Sequence, residues 1–550
     1  MTEKLVIIGN GMAPGRMLEH LLDQEPGRYQ ITIFNAEPRV NYDRIMLSPV
    51  LSGEKDYEEI IIHDDVWYIK NSITLYEGHK IVAIDRAAKT VVSDHGALED
   101  YDKLVIATGS MPLIIPVPGH DLPGVLTYRD LDDVNAMLIA AQSRDKAVVI
   151  GGGLLGLEAA AGLAARGMDV TVLHLMPTLM ERQLDPAAGY LLKRAVEERG
   201  VKVVTEANTR AILGKDRVEG VRLADGTIIP ATLVVMASGI RPSTGLARDA
   251  GLEENRGILV DAGMRTSDAD ILAIGECAEV GGHVYGLVAP LYEMARVAAA
   301  QLCGDGAASF VHNDTPTKLK VTGIELFSLG DFVDDEDRQE IALRDAAAGV
   351  YKRLMIKDNR IIGAVLFGET SDGAWFNDLK NKEVDISEMR DTLIFGQAYQ
   401  GGSPLDPTAA VAALPDDAEI CGCNGVHKSD RRLGRSGGVK TMNRIAIGSR
   451  TDIPPRGARC VATPRGKVAV FRTAEDLFFA VEDRCPHEGG PHGQRIVHGA
   501  AVTCPLHNWV ISLETGRLLG AAKASVRPIP LEREGERPFP ALDALAYLAA

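Results

Sequence analysis

A short apolar run that breaks into glycines and restarts as a helix occurs twice in this chain, about 140 residues apart. In the first, Leu5-Val6-Ile7-Ile8 ends in Gly9-Asn10-Gly11 and leads to the helix-like Arg16-Met17-Leu18-Glu19. In the second, Ala147-Val148-Val149-Ile150 ends in Gly151-Gly152-Gly153-Leu154-Leu155-Gly156 and leads to Leu157-Glu158-Ala159-Ala160-Ala161. Glycines at such a turn let the backbone approach a pyrophosphate, and the helix N-terminus offers it unpaired amides and a partial positive charge. One G-x-G-x-x-G is weak evidence; a pair in the right context predicts two Rossmann-like dinucleotide folds in an α/β chain. The first copy holds Pro14 at its third glycine position, with Gly15 following, and proline is tolerated in a first helical turn. Glu37, twenty-six residues beyond Gly11 and after the apolar Ile31-Thr32-Ile33-Phe34, stands where a carboxylate would bond a ribose hydroxyl.

The chain has 550 residues, 46% of them hydrophobic, enough for several domains with their own cores. A net charge of −17 argues against nucleic acid or an anionic membrane as partner, since either needs a concentrated basic surface. MTEKLVIIGNG enters a strand directly, with no charged-then-apolar leader, and no apolar run approaches the roughly 18 residues of a membrane span, so a cytoplasmic protein is expected. The seven cysteines (277, 303, 421, 423, 460, 485 and 504) include none in the first half, which speaks against a disulfide framework and against thiol chemistry near the N-terminus.

Near the C-terminus stand Cys485-Pro486-His487 and, after sixteen intervening residues, Cys504-Pro505-Leu506-His507. Zinc accepts two Cys and two His, but the two prolines, Gly489-Gly490 and Trp509 resemble a Rieske loop more than a finger. In a Rieske [2Fe-2S] centre two thiolates hold one iron and two imidazoles the other, which raises the potential above that of an all-cysteine cluster. The resemblance implies a one-electron carrier with Cys485, His487, Cys504 and His507 as metal ligands. His492 and His498 lie nearby and read as solvent-exposed structural residues.

Between and after the glycine turns come Leu104-Val105-Ile106-Ala107-Thr108-Gly109, Val234-Val235-Met236-Ala237-Ser238-Gly239-Ile240-Arg241-Pro242 and Ile271-Leu272-Ala273-Ile274-Gly275-Glu276. This order, over residues 1 to about 400, resembles the two-nucleotide flavoprotein reductases, in which the first fold holds FAD, the second NAD(P)H, and the chain then returns to complete the first. The resemblance implies that Gly9, Gly11 and Glu37 hold the ADP half of FAD, with Thr108, Gly109 and Gly239 in the cofactor-binding turns. Arg44 would lie near the flavin, Glu276 would meet the ribityl chain, and Gly151, Gly153 and Gly156 would cradle the nicotinamide dinucleotide. Relatives place a carboxylate like Glu158 near the nicotinamide; an ordinary helix-surface glutamate is the alternative. Arg44 and Glu158 are the catalytic candidates. His174 ends the second strand of the NAD fold, where an acid would select NADH, yet supplies neither that acid nor an arginine for a 2′-phosphate. NADH is favoured by resemblance only.

Thiol-using members of this superfamily need a C-x-x-C pair or a cysteine after the YDR-like segment, which here reads Arg44-Ile45-Met46-Leu47-Ser48-Pro49. Flavin electrons must therefore leave by another route. Asn41-Tyr42-Asp43-Arg44, Glu181-Arg182-Gln183-Leu184-Asp185 and Gly286-Leu287-Val288-Ala289-Pro290 resemble the large subunit of assimilatory NAD(P)H nitrite reductase, a family that includes electron-transfer subunits of nitrate reductases. Cys421-Gly422-Cys423 resembles the opening of its small all-cysteine cluster domain, but the next cysteine is the solitary Cys460. The pair reads as vestigial, the alternative being a metal shared between chains. No sirohaem domain, where nitrite would be reduced, is expected in these 550 residues. From Met442 the chain is similar to the Rieske-type small subunit of the same enzyme, so a fusion is expected there.

The expected domains are 1–145 (FAD-binding, first part), 146–262 (NAD(P)H-binding), 263–312 (FAD-binding, second part), 313–397 (α+β interface domain), 398–441 (linker with the C-x-C) and 442–545 (all-β Rieske domain). The function implied is an NAD(P)H-dependent FAD and Rieske electron-transfer reductase serving nitrite or nitrate assimilation. A nitrite or nitrate reductase catalytic chain would be its partner, and a homo-oligomer is a further expectation. The alternatives are a reductase for another acceptor, such as an oxygenase, and a redox-sensing module.

Overall fold

The computed structural model describes residues 2–312, 316–319, 324–345 and 348–400 and, beyond these, mainly strand segments between 419 and 540. The chain divides into two compact units, Met1–Asp430 and Arg431–Ala550.

In the first unit, five parallel strands lie in the order Ile271–Ala273, Lys103–Ile106, Glu3–Ile8, Tyr29–Asn35, Ile73–Glu77. Leu5, Ile7, Ile33, Leu104 and Val105 are wholly buried, as strands covered on both faces require. Each such side chain contributes about 1.5–3 kcal/mol of burial. Helix Met12–Gln24 packs on helix Val288–Leu302, and the Tyr29 hydroxyl donates to the Leu302 carbonyl at 2.9 Å. The chain therefore does return, after the second fold, to complete the first.

The second parallel sheet runs Lys202–Val204, Asp169–Leu173, Lys146–Ile150, Leu233–Met236, Val125–Thr127. Two expected boundaries separate strands that pair with one another. Val125–Thr127 precedes residue 146 yet belongs to the second sheet, and Ile258–Val260 precedes residue 263 yet pairs with Ala278–Val280. Three-residue strands carry no periodicity that could reveal their partners.

The two layers meet where the short helix Leu47–Ser52 docks on helix Leu154–Ala165. Leu51 fills the space left by Gly162, where a Cβ would stand 2.7 Å from the leucine side chain.

Strands Thr317–Leu319, Leu326–Gly330, Gln339–Asp345, Val350–Lys357 and Arg360–Phe367 form a five-stranded antiparallel sheet covered on one face by helix Gly373–Asn381. Alternation along its strands splits the apolar residues between two cores. Leu354, Ile356 and Leu366 meet Phe376 and Leu379 of the helix, while Tyr351, Val365 and Phe367 join the core that contains Leu184 of the second layer.

The second unit is all-β where described. Ala458–Thr463, Gly466–Arg472, Phe478–Glu482 and Pro528–Ile529 make one antiparallel sheet, and Ile496–His498, Ala501–Thr503 and Val510–Ser512 another. Val470, Phe471 and Val481 are buried. Residues 401–418, expected as linker, lie outside the described residues; Cys421 ends a short strand, Glu419–Cys421, that pairs with Val426–His427, and Cys423 is again outside.

Candidate functional site

At the first turn Gly9 adopts φ +107°, and a Cβ there would stand 2.3 Å from the Ala107 carbonyl oxygen. Only glycine fits. Gly11 caps helix Met12–Gln24 with no side chain bonded to the helix amides, and open space lies where its Cβ would be. Asn41 donates to the carbonyls of Asn10 (3.0 Å) and Gly11 (2.6 Å), while Tyr68 donates to Asn10 Oδ1 (3.1 Å), leaving the buried Asn10 Nδ2 without a partner. A braced turn with free helix amides, open space and an unpaired donor fits a dinucleotide pyrophosphate. Gly15 is not the third fingerprint glycine: its lack of a side chain makes room for Asn41 and His63.

Beyond this turn the candidate side chains form one network. Glu37 accepts from Tyr42 at 2.7 Å and pairs with Arg39 and Arg44. Burial opposes the Arg44 charge, and Tyr42 and Glu37 more than offset that, holding its pKa above the ordinary value. Arg44 also donates to the Arg129 carbonyl at 3.1 Å, and the Arg129 guanidinium pairs with Glu276, which accepts from Ser110 at 2.7 Å. Tyr128, next in the chain, is 1% exposed and shares a 2.9 Å hydrogen bond with Ser48, whose hydroxyl donates to Glu158 at 2.8 Å. Ser48 has one hydrogen, so Tyr128 donates to Ser48 and Ser48 to Glu158. Burial pushes the Tyr128 phenol up, which keeps it a donor. Candidates for the two nucleotide sites thus converge on Tyr128-Arg129, a dipeptide with no motif and invisible to sequence reasoning. Thr108 donates to the Ser243 carbonyl (2.8 Å), and Gly109 and Gly239 adopt φ +64° and +124° where their strands turn.

The second turn repeats the first more closely. Gly151 adopts φ +130° and lies against the Ala237 carbonyl; Gly153 caps helix Leu154–Ala165 with open space where its Cβ would be and no side-chain cap. A Cβ at Gly156 would stand 2.0 Å from the Gly151 carbonyl oxygen, so the third glycine lets the helix close on the strand. These residues fit a dinucleotide. His174 does not face outward as a ribose ligand would. Its Nδ1 accepts from the Gly152 amide (3.1 Å), and Nε2 lies 2.9 Å from the Thr178 carbonyl and 3.0 Å from Glu181.

Cys277 is wholly buried with its sulfur against the Ile106 and Ile274 carbonyls, and burial pushes its thiol up. Such a thiol is inert. Cys485, His487, Cys504 and His507 lie outside the described residues.

Residues 3–301 match the pyridine nucleotide-disulphide oxidoreductase family, residues 316–384 the rubredoxin NAD+ reductase C-terminal domain, and residues 443–530 the Rieske [2Fe-2S] domain. The chain belongs to the pyridine nucleotide-disulphide oxidoreductase family. It is an oxidoreductase of the FAD- and NAD(P)H-binding type, and its C-terminal part is a Rieske domain, which implies a [2Fe-2S] cluster. It is 48% identical over 426 residues to a nitrite reductase [NAD(P)H] of Bacillus subtilis (78% of this chain, 52% of the relative). It is 40% identical over 426 residues to an assimilatory nitrate reductase electron transfer subunit of the same organism (78% and 54%). The ferredoxin reductase for the CYP199A2 system of Rhodopseudomonas palustris aligns with a TM-score of 0.63 at 27% identity, covering 71% of this chain and 100% of that one. The chain spans about half the length of the curated nitrite and nitrate reductase relatives it matches. Among the described residues no helix is long and apolar enough to cross a membrane.

Proposed function

We propose that this chain is an NAD(P)H-dependent electron-transfer reductase whose acceptor is a nitrite- or nitrate-reducing catalytic chain. FAD, when bound, supplies the conversion of a two-electron hydride donor into single electrons. The two fingerprint turns would present amides to the two pyrophosphates, Glu37 would meet the adenosine ribose of FAD and Glu276 its ribityl chain, and Arg44 and Arg129 would supply the cations between them. Glu158, held by Ser48, stands at the junction of the two layers, where the nicotinamide and flavin would face each other. Cys485, His487, Cys504 and His507 would ligate the cluster, two thiolates on one iron and two imidazoles on the other.

The observation that carries this reading is the missing thiol. In a family that includes disulphide reductases, the only cysteines before Cys421 are the sealed Cys277 and Cys303, whose thiol burial also pushes up. A Rieske domain on the same chain supplies the other exit. Nitrite or nitrate as the final acceptor rests on the relatives' names; the solved ferredoxin reductase favours, as second reading, a separate electron-carrier or oxygenase acceptor. Anaerobic NADH and NADPH titration of the purified chain, followed in the visible spectrum with and without cytochrome c, tests the reductase step. Bleaching of the flavin and reduction of the acceptor are expected. Neither dinucleotide bleaching it would overturn the proposal. Ammonium produced from nitrite by the purified chain alone would overturn the assignment of the terminal step to another chain.

A further inference from the structure

In a Rossmann-type fold, the residue ending the second strand faces the adenosine ribose: an acid accepts the 2′-hydroxyl of NADH, and an arginine accommodates the 2′-phosphate of NADPH. Here that position is His174, whose ring is turned inward and 8% exposed. Because Nδ1 accepts the Gly152 amide, the ring hydrogen sits on Nε2, where it is shared between the Thr178 carbonyl at 2.9 Å and Glu181 Oε2 at 3.0 Å. The loop carrying Glu181 folds back over the glycine turn: the Met180 amide donates to the Gly152 carbonyl at 3.0 Å, and the Leu179 side chain packs where a Gly152 Cβ would be. The carboxylate that the strand end lacks in sequence is therefore returned to it, seven residues later in the chain. The Glu181 side chain remains about one-third exposed, open to a ligand, while Leu175 and Met176, which follow His174 in the chain, are exposed and uncharged.

We infer that Glu181, oriented by His174, is the residue that selects NADH over NADPH. Its carboxylate accepts the 2′-hydroxyl of NADH, while a 2′-phosphate would bring a second anion against it with no hydrogen to offer. The inference rests on the proposed binding of a nicotinamide dinucleotide by this layer and adds which one. Arg182, the next residue, is also exposed; it has no partner comparable to His174 holding it to the strand end, and is the natural control.

The test is the ratio of kcat/KM for flavin reduction by NADH and by NADPH in the full-length holoprotein, for wild type, Glu181→Gln and Arg182→Ala. Glutamine keeps the acceptor for His174 Nε2 and removes the charge; matching FAD content and melting temperature establish that the fold is intact. Wild type is expected to prefer NADH by about tenfold or more, and Glu181→Gln to reduce that ratio by about tenfold, mainly through a lower KM for NADPH. Arg182→Ala is expected to leave the ratio within about twofold. A His174→Ala variant, which frees the carboxylate, is expected to narrow the ratio as well. The assignment is overturned if Glu181→Gln leaves the ratio unchanged, or if wild type prefers NADPH and Arg182→Ala abolishes that preference. Failure of both dinucleotides to bleach the flavin in wild type overturns the reductase reading itself, and this assignment with it.

Discussion

Ser48 Oγ donates to the Glu158 carboxylate at 2.8 Å, joining the segment that follows Arg44 to the helix of the second glycine turn. A carboxylate at a layer junction is useful only if its position is fixed, and Ser48 is itself fixed by Tyr128. Ser48→Ala removes the donor and leaves the buried Tyr128 hydroxyl without its acceptor. The expected cost is about 1–3 kcal/mol in stability. Stopped-flow reduction by NADH is expected to slow about tenfold, as a loss of about 1.4 kcal/mol from the transition state implies. Ser48→Thr, which keeps the hydroxyl, should restore both.

Gly156→Ala tests whether the second layer alone binds the nicotinamide dinucleotide. Its Cβ would press on the Gly151 carbonyl oxygen and lift the helix N-terminus. KM for NADH is expected to rise about tenfold or more, since small displacements of binding amides are costly, while FAD content measured at the flavin absorbance stays at the wild-type level. Loss of FAD instead would mean that the two sites do not divide between the layers as assigned.

Tyr351 donates to Asp185 at 2.7 Å, with both side chains buried, and Asp185 also caps helix Pro186–Glu197 and faces Arg353. This contact ties the antiparallel domain to the second nucleotide layer. Tyr351→Phe is expected to lower the unfolding free energy of the first unit by about 1.5–3 kcal/mol, the worth of a hydrogen bond to a charged group, measured by urea denaturation. An unchanged midpoint would show that Asp185 is satisfied by Arg353 and the helix amide alone.

Much of this was legible because parallel strands buried on both faces need unbroken apolar runs, and glycine turns need glycine. Leu5 to Gly11 and Ala147 to Gly156 therefore announced their strands and turns. The strand Val125–Thr127 was not legible, because three residues set no period and its partner, Leu233–Met236, lies more than a hundred residues away. The same limit hid Arg129, which acquires its place through a fold that brings distant segments together. His174 was visible as a strand end, but the inward turn of its ring depends on the Gly152 amide and the returning loop.

Alkaline pH should destabilise the first unit in a specific window. Burial pushes the Tyr68 phenol up to about 12 and moves Tyr42, Tyr128 and Tyr351 further in the same direction. Unfolded phenols release their protons near pH 10, so the stabilisation is fully present below that and is lost as pH rises toward the folded values. Urea midpoints should be level between pH 8 and 9 on this account and fall by pH 11. Tyr68→Phe should reduce the fall by up to about 1.4 kcal/mol per pH unit across that window. An equal fall in that variant would exclude Tyr68 as a contributor.

In the proposed function, electrons leave this flavoprotein through the Rieske domain. Anaerobic NADH titration of wild type and Cys485→Ser, with the flavin followed by absorbance and the cluster by electron paramagnetic resonance, is the decisive measurement. In wild type both centres should become reduced and electrons should reach the acceptor chain; in Cys485→Ser the flavin should bleach at the wild-type rate while the cluster signal and acceptor reduction are both lost. Acceptor reduction that survives Cys485→Ser would contradict the account and show that the flavin delivers directly.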